Sequence, residues 1–96
     1  MWLSCGVKFS WHESKREWVL AERGIDFLRV ASDFFDGRAL LTVPTLRGNE
    51  ERSLSIGPMD DKFYAAVWTW RDGTVRIVTA RRARDAEEKR YRELYG

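Results

Sequence analysis

The sequence predicts a single α+β domain: a strand and two helices, then an antiparallel sheet of three to four further strands, then a C-terminal helix. Three observations predict it. Residues 13–35 carry two consecutive helix signatures, residues 39–80 switch to a two-residue period interrupted by Asp72-Gly73, and residues 82–95 return to helical spacing. Ninety-six residues leave room for one core. With 44% hydrophobic and 14% aromatic residues, that core can be filled, which excludes a disordered chain. The domain is expected to span residues 1–96, with residues 1–6 as a disordered leader.

Residues 7–11 alternate Val7, Phe9 and Trp11 against Lys8 and Ser10, the pattern of a short half-buried strand at an edge. Ser14 and Glu17 have capping-box spacing, and the helix over residues 13–23 ends at Gly24, which accepts a left-handed conformation. Asp26 caps a second helix with Ile25 and Val30 as its hydrophobic staple. Phe27, Val30, Ala31 and Phe34 form its buried stripe and Gly37 its end. Residues 39–43 read as a strand stopped by Pro44, and residues 45–49 as a polar loop pivoting on Gly48. Residues 52–56 alternate Arg52, Leu54 and Ile56 against Ser53 and Ser55, one face buried and one wet. Residues 63–70 and 74–80 form a hairpin on Asp72-Gly73, placing Trp70 opposite Val75, Thr69 opposite Arg76 and Trp68 opposite Ile77. In the last helix, residues 82–95, Ala83, Glu87, Tyr91 and Leu94 share a face, and Asp85 with Lys89 gives a charge pair. Helices covering one side of the sheet are the economical packing.

Several classes are excluded by what is missing. No apolar run approaches the roughly 20 residues of a bilayer span, and the start lacks the basic residues of a signal peptide, so a cytoplasmic protein without membrane contact is expected. Cys5 is the only cysteine and His12 the only histidine, which leaves no thiol set for zinc and no histidine cluster for a catalytic metal. Phosphate-loop, dinucleotide and nucleophile-elbow motifs are lacking, so no cofactor is expected. The formal net charge is only +2. Its distribution is uneven: residues 1–70 hold 9 Lys/Arg against 10 Asp/Glu, and residues 71–96 hold 8 against 5. The late arginines are forked donors suited to phosphate, although arginines of this kind also serve as solvated or acid-paired surface groups.

Residues 9–31 read FSWHESKREWVLAERGIDFLRVA, residues 50–57 EERSLSIG and residues 76–91 RIVTARRARDAEEKRY. Together they resemble the BrnT family of bacterial type II toxins. That family's pattern runs W-D-E-x-K, K-H-G-[IV]-x-F, E-E-R-x-x-x-I-G and R-I-[IV]-[ST]-A-R-x-A, followed by Glu and Tyr. The spacing is kept within each block. His12 replaces the family's usual Asp, Val19 its frequent Asn, and Glu22-Arg23 its Lys-His. The resemblance implies a BrnT-like domain with a RelE-like fold, a ribonuclease that inhibits translation by cleaving RNA, and neutralisation by a BrnA-like ribbon-helix-helix antitoxin. Operator DNA would be bound only through the toxin–antitoxin complex.

Cleavage of RNA through its 2′-hydroxyl needs a base for that hydroxyl, an acid for the departing 5′-oxygen and cations around the phosphorane, and none of these has to be a metal. Glu51 is the candidate base, Arg76 and Arg81 the candidate phosphate clamps, Lys15 a further cation, and Tyr91 or His12 the proton donor. Lys8, Trp11, Arg52 and Arg82 are candidate RNA contacts. Structural readings stand beside these. Glu87 can pair with a strand arginine, Arg76 or Arg81, to fix the last helix. Trp11, Trp68 and Trp70 can belong to the core rather than stack on bases. Glu51 and Arg52 face opposite sides of a strand, so only one of them can share a cleft with Arg76. A toxin-like scaffold without activity, which only binds an antitoxin and supports operator binding, is the alternative reading of the whole chain.

Overall fold

The computed structural model describes residues 8–35, 40–47 and 50–95. The expected leader over residues 1–6 with Cys5, the helix-ending Gly37 and the loop Gly48 lie outside the described residues. The elements run β1 (Lys8–Trp11), α1 (Glu13–Arg23), α2 (Phe27–Phe34), β2 (Leu41–Arg47), β3 (Glu50–Met59), β4 (Lys62–Arg71), β5 (Thr74–Arg82) and α3 (Asp85–Tyr95). One five-stranded sheet has the order β1-β5-β4-β3-β2. Strands β2 to β5 pair antiparallel with their neighbours, and β1 joins β5 in parallel, so the sheet is mixed.

Local chemistry accounts for most boundaries. Gly24 closes α1 at φ 69°, its amide bonded to the Leu20 carbonyl. Asp26 caps α2 by accepting from the Leu28 amide at 3.0 Å, and also receives Arg16 Nε at 3.0 Å. Burial raises the Asp26 carboxyl, but the Arg16 and Leu28 hydrogen bonds outweigh it and hold the group below its ordinary range. The Ser14 capping box does not form. His12 is the N-cap of α1, without a side-chain cap bond, and Ser14 lies inside the first turn.

Two hairpin turns among the described residues place non-glycine residues in the left-handed region. Asp72 and Gly73 take φ 54° and 75°, the mirror-image turn that matches strand twist, and all three expected pairings across it are present. The second turn, Asp60-Asp61, takes φ 54° and 66° and was not anticipated from the sequence. Aspartate tolerates this region better than most residues. Asp60 is further braced by Arg29, which reaches it at 2.8 Å and Asp33 at 2.7 Å.

Two expected strand ends are overrun. Pro44 does not stop β2, which continues to Arg47 with Pro44 opposite Ser53. An edge strand needs its amides on one side only, so a missing N–H is tolerated there. Pro58 is tolerated likewise, because β2 begins at Leu41 opposite Ile56 and leaves that end of β3 paired with β4 alone.

The sheet is covered on both faces, not one. Val19 of α1 and Phe27, Val30, Ala31 and Phe34 of α2 pack with Phe9, Met59, Ala66, Val75, Ile77 and Ala80 in the main core. Tyr91 of α3 joins Ile56 and Ala65 in a second cluster. Neighbouring Ala65 and Ala66 fall in different clusters, as successive strand residues must on opposite faces. The expected wet side of β3 is therefore covered, and Ser55 is fully buried. Its hydroxyl lies 2.8 Å from Thr42 Oγ1 and accepts Trp68 Nε1 at 2.9 Å, which satisfies it without water.

The last helix starts later than expected, at Asp85, so Arg82 belongs to β5. Glu87 fixes this helix in two ways. Its carboxylate takes both Arg81 Nη atoms, at 2.8 and 2.9 Å, and reaches back to the Arg84 amide at 2.7 Å. The second bond is the returning half of a capping box. One turn on, Tyr91 packs edge-on to Phe63 at 5.1 Å and against Tyr95 at 5.0 Å. Leu94, expected on the same stripe, is half exposed.

The Arg81 hydrogen bonds pull the Glu87 carboxyl below its ordinary value of 4.5, outweighing its burial. The folded value lies below the unfolded one, so the pair stabilises fully above about pH 4.5 and its contribution is lost as pH falls through the folded value. Glu87→Ala should lower stability by about 2 kcal/mol at neutral pH, or about 10 °C in Tm for a domain of this size. Thermal melts should show parent and variant converging as pH is taken from 7 to 3. A constant gap over that range would show that the pair does not carry the stability.

Candidate nucleic-acid cleft

On the sheet face that carries α3, the helix covers only the end near Phe63 and Ile56. The other end is an open cleft of about 660 Å³. Strand alternation supplies its floor. Glu50 and Arg52 share a face of β3 with Leu54 and Ile56, and Thr69 and Arg71 share a face of β4 with Ala65 and Val67. The hairpin register sets Arg76 opposite Thr69. Beyond Ile77, β1 has ended and α1 runs beside β5, where Arg23 Nη1 donates to the Ala80 carbonyl at 2.9 Å. This brings His12, Ser14, Lys15 and Trp18 to the cleft wall.

Four cations, Lys15, Arg52, Arg71 and Arg76, therefore face one carboxylate, Glu50. Glu50 accepts Arg52 Nη2 at 3.1 Å and Arg71 Nη2 at 3.5 Å. Arg76 Nη1 lies 3.5 Å from Ser10 Oγ. Lys15 Nζ sits 4.9 Å from the centre of the Trp18 ring and the Arg23 guanidinium 5.1 Å, so the indole holds two cations in place. Thr69 is nearly buried, and its hydroxyl donates to the Glu51 carbonyl at 2.9 Å, which ties the floor strands together. The Arg52 Nε–H is buried and has no hydrogen-bond partner among the described residues.

The sequence-derived candidates divide accordingly. His12, Lys15, Arg52 and Arg76 meet in the cleft. Glu51 is exposed and outside it, as strand alternation requires once Arg52 is inside. Arg81 is bound to Glu87, and Tyr91 is buried on the sheet-facing side of α3. Trp11 donates its indole N–H to Glu13 at 3.1 Å and meets Phe27 edge-on, and so belongs to the core rim. Lys8 lies at the start of β1 beside Thr74. Arg82 bonds the Phe63 carbonyl and lies over Tyr64. Glu50, Thr69, Ser14 and Trp18 were not singled out as site residues from the sequence, and Arg71 only as one of the late arginines suited to phosphate. Glu50 and Arg71 could have been found by carrying the Arg52 and Thr69 alternation one step further along each strand.

A small mixed-sheet domain with four cations converging on an open half-face has the charge that binding of an anionic ligand would require. Residues 11–87 match the family described as ribonuclease toxin, BrnT, of type II toxin-antitoxin system, and the chain belongs to that family. It is thus a ribonuclease toxin whose counterpart is an antitoxin. A comparison with curated proteins gives no match. No helix among the described residues is long and apolar enough to cross a membrane.

Glu50 partly neutralises the cleft. Glu50→Gln should tighten binding of a 2′-deoxy oligonucleotide, which cannot be cut through its sugar, by roughly fivefold at low salt, since unit charges 4 Å apart in water interact by about 1 kcal/mol. Fluorescence titration should show the gain vanish at high salt. Unchanged affinity at low salt would place Glu50 outside the electrostatic field of the bound strand.

Proposed function

We propose that the protein cuts messenger RNA in the cytoplasm by attack of a 2′-hydroxyl on the adjacent phosphorus, without a metal ion. The observation that carries this reading is the convergence of one carboxylate, one imidazole and four cations on a single cleft. Glu50 takes the proton of the 2′-hydroxyl. Although it already accepts from Arg52 and Arg71, a carboxylate has about four lone-pair sites and retains capacity for one more donor. Arg76 and Arg52, held by the sheet, and Lys15, held by Trp18, face the negative charge that develops on the phosphorane oxygens. Being fixed beforehand, they need little reorganisation. His12, at the mouth of the cleft, gives a proton to the departing 5′-oxygen. The bond formed is O2′–P and the bond broken is P–O5′. The products are a 2′,3′-cyclic phosphate and a 5′-hydroxyl.

The RelE-like layout implied by the family resemblance accords with a sheet whose open face carries the chemistry. The inhibitor fits the same logic. A ribbon-helix-helix antitoxin presenting an acidic segment to the cleft would both neutralise Lys15, Arg52, Arg71 and Arg76 and exclude RNA. Operator DNA is then bound by the complex, through the antitoxin.

Purified protein should cut RNA in the presence of EDTA. Arg76→Ala should slow cleavage roughly a hundredfold, as for loss of one preorganised donor, and Glu50→Gln by a similar factor despite its tighter binding. Arg92→Ala, on α3 over Phe63 and outside the cleft, should leave the rate unchanged. Loss of all cleavage in EDTA with recovery in Mg²⁺, or a folded Arg76→Ala as active as the parent, would overturn this mechanism.

A further inference from the structure

A second cavity of about 320 Å³ adjoins the cleft and is lined by Lys15, Thr45, Arg52, Val67, Val78 and Thr79. Lys15, Arg52 and Val78 also line the main cleft, so two of the four cations stand between the two spaces. The second cavity owes its shape to an irregularity in the sheet. Trp68 pairs with Ile77, but the next residue of β4, Val67, pairs with Thr79. Val78 is therefore an extra residue; it lies at the boundary of the two spaces, and Thr79 after it faces the second. Without the bulge, strict alternation would carry Arg76 and Val78 on the same side and Thr79 on the other.

The lining suits one kind of occupant. Val67 and Val78 offer apolar surface, and Thr45 and Thr79 each offer a hydroxyl able to donate or accept. Cavities that hold small ligands run from roughly 300 to 1,000 Å³, so this one takes a single planar ring rather than a whole nucleotide. Sequence-specific RNA recognition works on splayed, unstacked bases read along their polar edges.

We propose that this second cavity receives the nucleobase next to the phosphate being cut, and that Thr45 and Thr79 read its polar edge while Val67 and Val78 flank its ring. Lys15 and Arg52, at the boundary, then hold the phosphate to which that nucleotide is joined. The proposal rests on the reading of the main cleft as the site of RNA cleavage, and it names the residues that set where the enzyme cuts.

The test uses four RNA oligonucleotides identical except for A, C, G or U at the position beside the cut, with kcat/KM measured for each by gel. The parent should discriminate between the best and worst base by tenfold or more. Thr79→Val and Thr45→Val, which keep shape and remove a hydroxyl, should each shrink that ratio by about fivefold, the scale of one hydrogen bond. The ratio is the decisive readout, because loss of fold lowers all four rates together and leaves it unchanged. Thr45→Val covers the case in which Thr79→Val fails to fold, since Thr79 Oγ1 also accepts from Arg23 at 3.4 Å. Equal cutting of all four by the parent, or parental ratios in both variants, would overturn the inference and leave the cleavage mechanism standing. A parent that cuts none of them would instead remove the cleavage mechanism, and this inference with it.

Discussion

The position of α3 depends on one ion pair, and the open half of the sheet depends on the position of α3. Arg81 stands at the end of β5 and Glu87 in the first turn of the helix, with two hydrogen bonds between them. The two short bonds fix both distance and angle, so α3 is directed over Phe63 and Ile56 and away from Arg76. Because Glu87 also holds the Arg84 amide, the same carboxylate starts the helix and aims it. A helix laid across the other end of that face would bury Arg52, Arg71 and Arg76 with Glu50 as their one acid, and such an excess of positive charge cannot be buried at tolerable cost.

The opposite face supplies the rigidity that the cleft needs. Phe27, Val30, Ala31 and Phe34 bring the whole apolar stripe of α2 onto Val75, Ile77 and Ala66, so the floor strands cannot shift without opening the main core. Alpha-helix α1 does a different job. It seals the edge of β5 beyond the end of β1 by giving Arg23 to the Ala80 carbonyl, and in doing so carries Lys15, Trp18 and His12 to the rim. Protection of a sheet edge and construction of the site are thus one feature of the fold.

Arginines illustrate how little residue type says by itself. Arg16 serves the cap of α2, Arg29 braces a turn, Arg81 orients a helix, and Arg52, Arg71 and Arg76 face the cleft. Each of the first three has a carboxylate close by that no cleft residue shares. In the cleft a single carboxylate, Glu50, serves two arginines, and the imbalance leaves the cleft with a surplus of positive charge.

Short-range chemistry was legible in the sequence. The span of α1, the Asp26 cap, the buried stripe of α2 and the register through Asp72-Gly73 all depend on residues a few positions apart, where period and turn geometry leave little choice. Strand alternation even separated Glu51 from Arg52. The three block motifs sufficed to place the chain in its family. Long-range choices were not legible: that Pro44 lies on an edge, that helices cover both faces, that Glu87 takes Arg81 rather than Arg76, and that a bulge at Val78 opens a second cavity. Each is decided by what lies across the sheet, and an arginine on an alternating strand fits a buried pair as well as an open cleft until the packing of α3 determines which acid it meets.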